Sequence, residues 1–390
     1  MKRYLVLIGD GMSDWPLKEL GGRTPLAAAR TPNLDFLARN GRCGWVSNVP
    51  KGLPPASDVA NMSIFGYDPK KYYTGRGPLE AASLGIKLGK SEVAFRCNLV
   101  TVKDRRMKDF TAGHINTAEG RRIMKLLDKK LGCQTVKFYP GLSYRHLLVV
   151  SNELINSRVR TTPPHDITGK PIKNYLPGGK GSEILLQLMN ESEVLLHGIG
   201  TKASMIWPWS PGQMPAMPLF RKKFGKKAAI ITAVHLLKGI GKLVGMDVIN
   251  VPGATGYLDT NYLGKARAAW RALKDRDLAF IHVEAPDEAG HEGSVSKKIR
   301  AIEDFDRLIV GTLLKKIRST GSDVKILVLP DHPTPIRAMT HTADPVPFVL
   351  YDPNKPCSKE SINAYNEKEL KKASWRLRHG HDLLKELLKA

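Results

Sequence analysis

Four stretches of the chain are short apolar runs rich in β-branched residues, and each leads directly into a polar loop. Continuous apolar strands of this kind are typical of a parallel sheet that is covered on both faces. The sequence therefore predicts core strands, each with its following loop, over residues 4–11 (YLVLIGDG), 228–234 (AAIITAV), 278–287 (LAFIHVEAPD) and 325–332 (KILVLPDH).

Helical patterns lie between these strands. Residues 31–41 offer Thr31 as an N-cap, Pro32 at the first helical position and Gly41 as a stop. Residues 294–320 form a second pattern, with one apolar face made of Ile299, Ile302, Phe305 and Leu308–Ile309. Because strands alternate with helices, we expect an α/β fold with a mostly parallel sheet flanked by helices.

The middle of the chain has a different composition. From about residue 73 to 224 it contains more Gly, Pro and Lys, and the alternation of strands and helices is weaker. We therefore expect an inserted α+β domain over residues 73–224, and a core domain that is assembled from residues 1–72 and 225–390.

Bulk properties point to an ordinary globular protein: 390 residues, of which 42% are hydrophobic and 25% charged. No apolar run approaches the roughly 20 residues of a membrane span. The N-terminal run YLVLI is also shorter than the roughly 7–15 residues of a secretory signal core. The cysteines are scattered, which favours a reducing compartment and a cytoplasmic location: Cys43, Cys97, Cys133 and Cys357.

The formal net charge of +24 allows three kinds of partner: nucleic acid, an anionic membrane surface or a small anionic substrate. Lysines and arginines are spread in pairs along the chain, and no block of them is interleaved with aromatic residues. We therefore expect a small anionic substrate, with neither nucleic acid nor membrane as a partner. The sequence leaves the oligomeric state open.

Aspartates and histidines follow three of the predicted strands. Functional groups of open parallel sheets gather beyond the carboxyl ends of the strands, so we expect these side chains to converge: Asp10, Asp287, His291, Asp331, His332 and, nine residues further on, His341. A mixture of Asp and His suits Mn²⁺ or Zn²⁺, whereas Mg²⁺ prefers oxygen ligands. Since one ion needs about three or four protein ligands, the set predicts two divalent cations, an arrangement suited to phosphoryl transfer.

Ser57 is the candidate nucleophile. It lies at the predicted start of a helix, just after Pro54-Pro55. A serine in this position is also a good N-cap, so the sequence alone leaves a purely structural role open. A serine beside a metal ion loses its proton far more easily than a free one. Ser63 is a poorer candidate because it falls inside the apolar pattern of the helix.

Several motifs together resemble the alkaline phosphatase superfamily and, more closely, the archaeal-type cofactor-independent (2,3-bisphosphoglycerate-independent) phosphoglycerate mutases. The resemblance covers nearly the whole chain. It rests on GDGMSDWP, LGGRTPLAAARTPNLDFLA, ASDVANMSIFGYDP, YYTGRGPLEAASLGI, FRCNLVT, KGIGKLVGM, PGATGYLDTNY, HVEAPDEAGH and LPDHPTP.

The resemblance implies an isomerase that interconverts 3-phosphoglycerate and 2-phosphoglycerate through a phosphoserine, a step of glycolysis and gluconeogenesis. Ser57 matches the phosphorylated serine of the family. The implied cofactors are two divalent cations, Mn²⁺ ahead of Zn²⁺ or Mg²⁺, without bisphosphoglycerate. One cation would be held by Asp287, His291 and His341, and the other by Asp10, Ser57, Asp331 and His332. Glu284 and Glu288 are not ligands in this assignment.

The inserted domain is expected to supply cations for the carboxylate and the phosphate of the substrate. The candidates are Arg76, Arg96, His114, Arg145, Lys238 and Lys242. Arg96 and Arg145 are favoured because each sits in or against an apolar run, where an unpaired charge would be costly.

The rival function is phosphoryl transfer to another small alcohol. Some relatives with the loop PPHDITGKP, residues 163–171 of this chain, are proposed to be homoserine kinases. Since the chain has no GxxxxGK[ST] loop, such a kinase would have to use the same serine and metals.

Overall fold

A computed structural model describes residues 2–355 and 362–389. It divides into two compact units: unit 1 comprises Met1–Tyr73 and Met217–Ala390, and unit 2 comprises Thr74–Ala216. The sequence predicts that the insertion ends at residue 224, and the structure corrects this end to residue 216. The segment after 216 packs in unit 1, because Phe220 is buried there with its ring 6.1 Å from that of Phe280.

The β-strands of the described residues are numbered in chain order. They are β1 Arg3–Gly9, β2 Arg42–Val46, β3 Glu92–Lys103, β4 Arg106–Asp109, β5 Val136–Leu142, β6 Arg145–Ser151, β7 Met205–Gly212, β8 Ala228–Ile231, β9 Asp247–Val248, β10 Leu278–Val283, β11 Val324–Leu329, β12 Val346–Tyr351 and β13 Trp375–Leu377.

The α-helices follow the same order. They are α1 Pro25–Ala28, α2 Pro32–Asn40, α3 Ser57–Ile64, α4 Pro69–Tyr72, α5 Arg76–Leu84, α6 Thr117–Leu131, α7 Ser182–Leu196, α8 Phe220–Phe224, α9 His235–Leu243, α10 Tyr262–Ala272, α11 Ala285–His291, α12 Val295–Asp304, α13 Gly311–Thr320 and α14 Gly380–Lys389. A π-helical segment, Phe305–Val310, joins α12 to α13. Short 3₁₀ turns cover Lys18–Leu20, Pro164–Ile167, Ile172–Tyr175 and Glu369–Lys372.

Unit 1 is built on an eight-stranded sheet in the order β13-β2-β12-β11-β1-β10-β8-β9. The central strands pair in parallel, and β12 runs antiparallel to both of its neighbours. Every residue of β10 and β11 is buried, which is the burial that a parallel sheet covered by helices requires. The four predicted core strands and the mostly parallel α/β architecture are therefore confirmed.

The predicted helix at residues 31–41 is also present, as α2. Thr31 occupies the N-cap position but makes no capping hydrogen bond with its side chain. The carboxylate of Asp306 performs that function, because it accepts hydrogen bonds from the backbone N–H groups of Asn33 (3.3 Å) and Leu34 (2.7 Å). A residue distant in sequence thus satisfies the free amides at the start of this helix.

Residues 295–320 are helical, close to the predicted 294–320, although the helix is interrupted by the π segment. A π segment inserts one extra residue into the turn and so rotates the apolar face. Ile302, Phe305 and Ile309 are buried as expected. The same face also buries Lys298 and Asp306, which the apolar pattern does not predict.

Unit 2 has its own sheet and its own core. Its strands pair in antiparallel fashion in the order β4-β3-β6-β5. A fifth strand, β7, also pairs with β3 in antiparallel fashion. The helices α6 and α7 contribute Ile123, Met124, Leu127, Leu185 and Leu188 to a hydrophobic cluster with this sheet. Unit 2 is therefore an α+β unit.

No disulfide joins the described cysteines, of which Cys43 and Cys97 are buried and Cys133 is exposed; Cys357 lies outside the described residues. Among the described helices, none has the length and the apolar character that crossing a membrane requires.

Candidate metal centre

Three parallel strands of unit 1 deliver carboxylates to one edge of the sheet. The register aligns Gly9 of β1 with Val283 of β10, and Ile8 of β1 with Leu329 of β11. The next residues of the chain are Asp10, the helix α11 with Asp287, and the pair Asp331–His332. These four side chains are buried, so three carboxylates converge where water is scarce.

The first cluster consists of Asp10, Ser57, Asp331 and His332. The Nε2 atom of His332 lies 3.6 Å from a carboxylate oxygen of Asp10, 3.6 Å from one of Asp331 and 3.1 Å from Ser57 Oγ. One ligand atom from each of Asp10, Asp331 and His332 falls within 4.8 Å of the others. This set is compact enough for a single cation.

Ser57 is the first residue of α3, and the N-cap position is taken by Ala56. The hydroxyl of Ser57 therefore does not cap the helix; it contacts His332 of the first cluster. Ser63, on the same helix, is buried and donates to the carbonyl of Asn48 at 2.6 Å, which is a structural use of a hydroxyl.

The second cluster consists of Asp287, His291 and His341. Asp287 and His291 lie four residues apart on α11, with 3.3 Å between the Asp287 carboxylate and His291 Nε2. His341 Nε2 lies 3.3 Å from the other oxygen of Asp287. The two Nε2 atoms are only 2.9 Å apart.

The tautomers of the two histidines in the second cluster leave two ring nitrogens facing each other without a proton between them. His291 Nδ1 lies 3.0 Å from the carbonyl of Met339, and His341 Nδ1 lies 3.0 Å from the carbonyl of Pro55. Since carbonyls only accept, each Nδ1 carries a proton, and the two facing Nε2 atoms of neutral rings are both acceptors. Such a pair needs a proton or a metal ion between its nitrogens. The hydrogen bond to Asp287 and the negative charge of this carboxylate raise the pKa of His291 to about 9, although burial opposes the shift.

The first cluster also lacks positive charge. Burial, and next the negative charges of Asp331 and Asp287, raise the pKa of Asp10 well above its ordinary value. The Oδ1 atom of Asp10 is buried and accepts no hydrogen bond from the described residues. Carboxylates that are crowded and buried in this way are typical of sites for divalent cations.

The two clusters are adjacent. Ligand atoms of Asp287, His332 and His341 lie within 4.8 Å of one another, and the rings of His332 and His341 have centroids 4.1 Å apart. The donor set of three Asp and three His therefore has room for two cations side by side, beside one serine hydroxyl. This arrangement is suited to clamping two oxygens in an in-line displacement.

Sequence reasoning missed three residues that support the clusters. His282 places Nε2 3.0 Å from Asp10 Oδ2, and Asn61 donates from Nδ2 to Asp331 (2.7 Å) and to the carbonyl of Ser57 (2.9 Å). Thr334 contacts both Asp287 and His332. Each is polar at a buried position, which is the only signal of their role that the sequence carries.

Basic side chains of unit 2 surround the indole ring of Trp209. The guanidinium carbon of Arg96 lies 4.5 Å from the ring centroid of Trp209, and that of Arg76 lies 6.0 Å away. The ring of His165 meets that of Trp209 edge-on at 5.3 Å. Burial lowers the pKa of His165, and the charges of Arg76, Arg96 and Arg145 lower this pKa further, so these four side chains form one basic cluster. His165 belongs to the PPHDITGKP loop and was not predicted.

The remaining substrate candidates occupy varied environments. Arg96 is buried and paired with Glu80 at 2.9 Å, so its charge is partly balanced. Arg145 is exposed, so the expectation that its apolar run buries it is wrong. His114 lies at an exposed turn near Asp109, whose pKa it helps to lower.

Lys238 and Lys242 lie in unit 1, on α9, rather than in unit 2. Lys238 is half-buried and donates to Asn250 at 3.0 Å, whereas Lys242 is exposed.

The mostly parallel sheet and the adjacent clusters at its edge define the class of protein, an α/β fold with two groups of side chains suited to divalent cations. The chain is 52% identical to the 2,3-bisphosphoglycerate-independent phosphoglycerate mutase of Methanosarcina barkeri, over 100% of both chains. The chain therefore belongs to the 2,3-bisphosphoglycerate-independent phosphoglycerate mutase family. The profile of the family described as 2,3-bisphosphoglycerate-independent phosphoglycerate mutase matches residues 38–199.

Other relatives agree with this assignment. A probable 2,3-bisphosphoglycerate-independent phosphoglycerate mutase of Geobacter sulfurreducens is 48% identical, over 99% of both chains. The solved structure of the cofactor-independent phosphoglycerate mutase of Thermoplasma acidophilum is similar with a TM-score of 0.68 and 28% identity, over 100% of this chain and 99% of that one. The PH0037 protein of Pyrococcus horikoshii is similar with a TM-score of 0.81 and 31% identity, over 100% of this chain and 97% of that one.

Proposed function

We propose that this chain interconverts 3-phosphoglycerate and 2-phosphoglycerate through a phosphoserine at Ser57. The observation that carries the proposal is the position of the Ser57 hydroxyl, 3.1 Å from His332 Nε2 in the first cluster. Family membership gives the substrate, because the relatives from Methanosarcina barkeri and Thermoplasma acidophilum are phosphoglycerate mutases. The activity is an intramolecular phosphoryl transfer, catalysed by an isomerase.

Two divalent cations are the cofactors that the clusters fit. The first cluster would hold one, and Asp287, His291 and His341 would hold the other. Manganese is the proposed metal, because carboxylates and imidazoles in equal number suit it better than magnesium. When bound, such cations neutralise the charge of a transferring phosphoryl group and favour the ionised form of a neighbouring hydroxyl.

The reaction consists of two transfers that balance each other. In the first, the bond between the 3-oxygen and phosphorus breaks, a bond between Ser57 Oγ and phosphorus forms, and the proton of Ser57 passes to the 3-oxygen. In the second, the 2-hydroxyl of the retained glycerate takes the phosphoryl group, and its proton returns to Ser57. No phosphate is released, so bisphosphoglycerate is not needed as a donor.

The chain's own residues prepare the serine for this reaction. Asn61 donates to both the carbonyl of Ser57 and the carboxylate of Asp331, so it fixes the start of α3 against the first cluster. His282 contacts Asp10, with 3.0 Å between Nε2 and Oδ2. A nucleophile that is held in this way loses little freedom on reaching the transition state.

The basic cluster of unit 2 is the proposed binding site for the anionic groups of the substrate. Arg76 and Arg145 supply positive charge, and Arg96 supplies it in a form partly balanced by Glu80. The lowered pKa of His165 keeps its ring neutral near pH 7, so this residue offers hydrogen bonds rather than charge. Guanidinium groups bind carboxylates and phosphates through paired hydrogen bonds, which gives orientation as well as affinity. His114, Lys238 and Lys242 stay as further candidates.

The relatives support the mutase, and nothing among them supports the homoserine kinase considered from the sequence. A coupled enolase assay on the wild type, with manganese and without bisphosphoglycerate, tests the proposal. We expect turnover by the wild type and a loss of at least about 10⁴-fold in Ser57→Ala, as for other covalent nucleophiles. Ser63→Ala, on the same helix, is the matched control and should keep its activity.

Phosphorylation is checked in the same experiment by mass spectrometry of peptides from protein quenched during turnover. Phosphate on Ser57 is the expected result. The proposal fails if the wild type shows no turnover with manganese, or if Ser57→Ala turns over normally.

A further inference from the structure

Thr334 lies between the two clusters. Its side chain is completely buried, two residues after His332. Its hydroxyl donates a short hydrogen bond to Oδ1 of Asp287 in the second cluster. The same hydroxyl oxygen lies 3.3 Å from Nδ1 of His332 in the first cluster. One hydroxyl thus touches a member of each cluster.

The direction of these two hydrogen bonds follows from the number of protons. A hydroxyl has one proton, and the carboxylate of Asp287 can only accept it when ionised. His332 must then donate its Nδ1–H to Thr334 Oγ1. The Nε2 atom of His332 is consequently left with a free lone pair, and this atom lies 3.1 Å from Ser57 and 3.6 Å from the carboxylates of Asp10 and Asp331.

The backbone of Thr334 is itself held firmly. Its carbonyl accepts from Nζ of the buried Lys298 at 2.8 Å, and its N–H donates to the carbonyl of Ser13 at 3.3 Å. Glycines pack on both sides: a Cβ atom on Gly11 would lie 2.6 Å from Thr334 Oγ1, and one on Gly290 would lie 2.5 Å from the Thr334 carbonyl oxygen. A side chain at either glycine would therefore displace Thr334, so the close packing depends on both glycines.

We propose that Thr334 is a positioning residue that sets one ligand in each metal site at the same time. It orients the carboxylate of Asp287, and it holds His332 in the tautomer whose Nε2 can bind a cation. This inference rests on the proposed function, because it takes the two clusters to be metal sites. It goes further in tying both sites to one hydroxyl.

The test compares Thr334→Val, which keeps the shape but removes the hydroxyl, with Thr334→Ser, which keeps the hydroxyl. Mn²⁺ is titrated into metal-free protein by calorimetry, and free Mn²⁺ is followed by electron paramagnetic resonance. We expect two ions per wild-type chain, and affinities for both ions about 10–100-fold weaker in Thr334→Val but within about threefold of wild type in Thr334→Ser. Thermal unfolding of the metal-free variants checks that they are folded.

The outcomes separate this inference from the function on which it rests. If the wild type binds no Mn²⁺, both are overturned. If the wild type binds two ions and Thr334→Val binds them equally well, or loses affinity at one site only, the role of Thr334 is overturned and the function stands.

A second measurement covers the case in which Thr334→Val does not fold. The ¹⁵N signals of the imidazole of His332, identified by their loss in His332→Gln, report the tautomer in metal-free protein. The Nδ1–H form is expected in the wild type and in Thr334→Ser. The Nε2–H form in the wild type would overturn the proposal.

Discussion

Lys298 and Asp14 form an ion pair in which both side chains are completely buried, with 2.8 Å between Nζ and Oδ2. The ammonium group also donates to the carbonyls of Ser13 and Thr334. The pair therefore joins the loop after β1 to the loop after β11, which carry Asp10 and His332. Burial lowers the pKa of Lys298, while the charge of Asp14 opposes this effect.

Removing one partner of this pair should be costly. Lys298→Met would leave the carboxylate of Asp14 buried without its counter-charge, and we expect the free energy of unfolding to fall by about 3–5 kcal/mol. Urea denaturation measures this loss. Lys297→Met, which removes the exposed neighbouring ammonium, is the control and should leave stability nearly unchanged. Equal effects of the two substitutions would contradict the structural role of the pair.

His146 should make the stability of unit 2 depend on pH. Its imidazole is buried, accepts from the N–H of Gly141 at 2.9 Å through Nδ1, and has a pKa lowered to about 3 because burial disfavours its charged form. Between about pH 6.5, the ordinary pKa of histidine, and about pH 3, this histidine is protonated in the unfolded chain but not in the folded one. The free energy of unfolding therefore decreases as the pH is lowered through that range. Between pH 7 and pH 5 the loss from this residue should be about 2 kcal/mol.

His146→Asn keeps an acceptor near the position of Nδ1 and removes the titration. The difference in unfolding free energy between pH 7 and pH 5 should shrink by about 2 kcal/mol in this variant. Hydrogen exchange of the backbone amides of residues 145–151 measures the same pH-dependent change in stability within unit 2. The control, His197→Asn, removes an exposed histidine of the same unit and should keep the wild-type pH dependence. An unchanged difference in His146→Asn would contradict the prediction.

Arg145 should affect substrate binding more than the chemical step. Its Nε donates to the hydroxyl of Tyr144 at 3.1 Å, and the side chain is exposed, so a substitution should not harm folding. If Arg145 binds an anionic group of the substrate, Arg145→Gln removes a charged hydrogen bond worth about 1.5–3 kcal/mol. We expect KM for 3-phosphoglycerate to rise roughly 10–100-fold while kcat changes little.

Steady-state kinetics decide this prediction. Arg122→Gln removes an exposed arginine from α6 in the same unit, so it controls for the loss of one positive charge. If both variants raise KM equally, the effect is general electrostatics, and the basic cluster is not the binding site.

The sheet and the first members of the site were predictable because their signals are local. Asp10, Asp287 and Asp331 each follow an apolar run, and the register of a parallel sheet brings such positions to one edge. Asp287 and His291 stand four residues apart in the sequence, a spacing that places both on one face of α11. These features need no knowledge of distant contacts.

Other features depended on tertiary partners and could not be predicted. The burial of Lys298 is compensated by Asp14, which is 284 residues away in the chain, and Asp306 caps a helix about 270 residues before it. His341 lies in a loop, and its Nδ1 is held by the carbonyl of Pro55. Hydrophobic periodicity carries no information on such pairings. The composition of the middle of the chain placed residues 217–224 in the insertion, because composition does not show which core a short apolar segment joins.

The central claim is that two divalent cations bind side by side at the edge of the sheet in unit 1, one of them against Ser57. Anomalous diffraction from crystals soaked in Mn²⁺ measures this directly. The account predicts two anomalous peaks, one in contact with Asp10, Ser57, Asp331 and His332 and the other in contact with Asp287, His291 and His341. A single peak, or peaks away from these side chains, would contradict it.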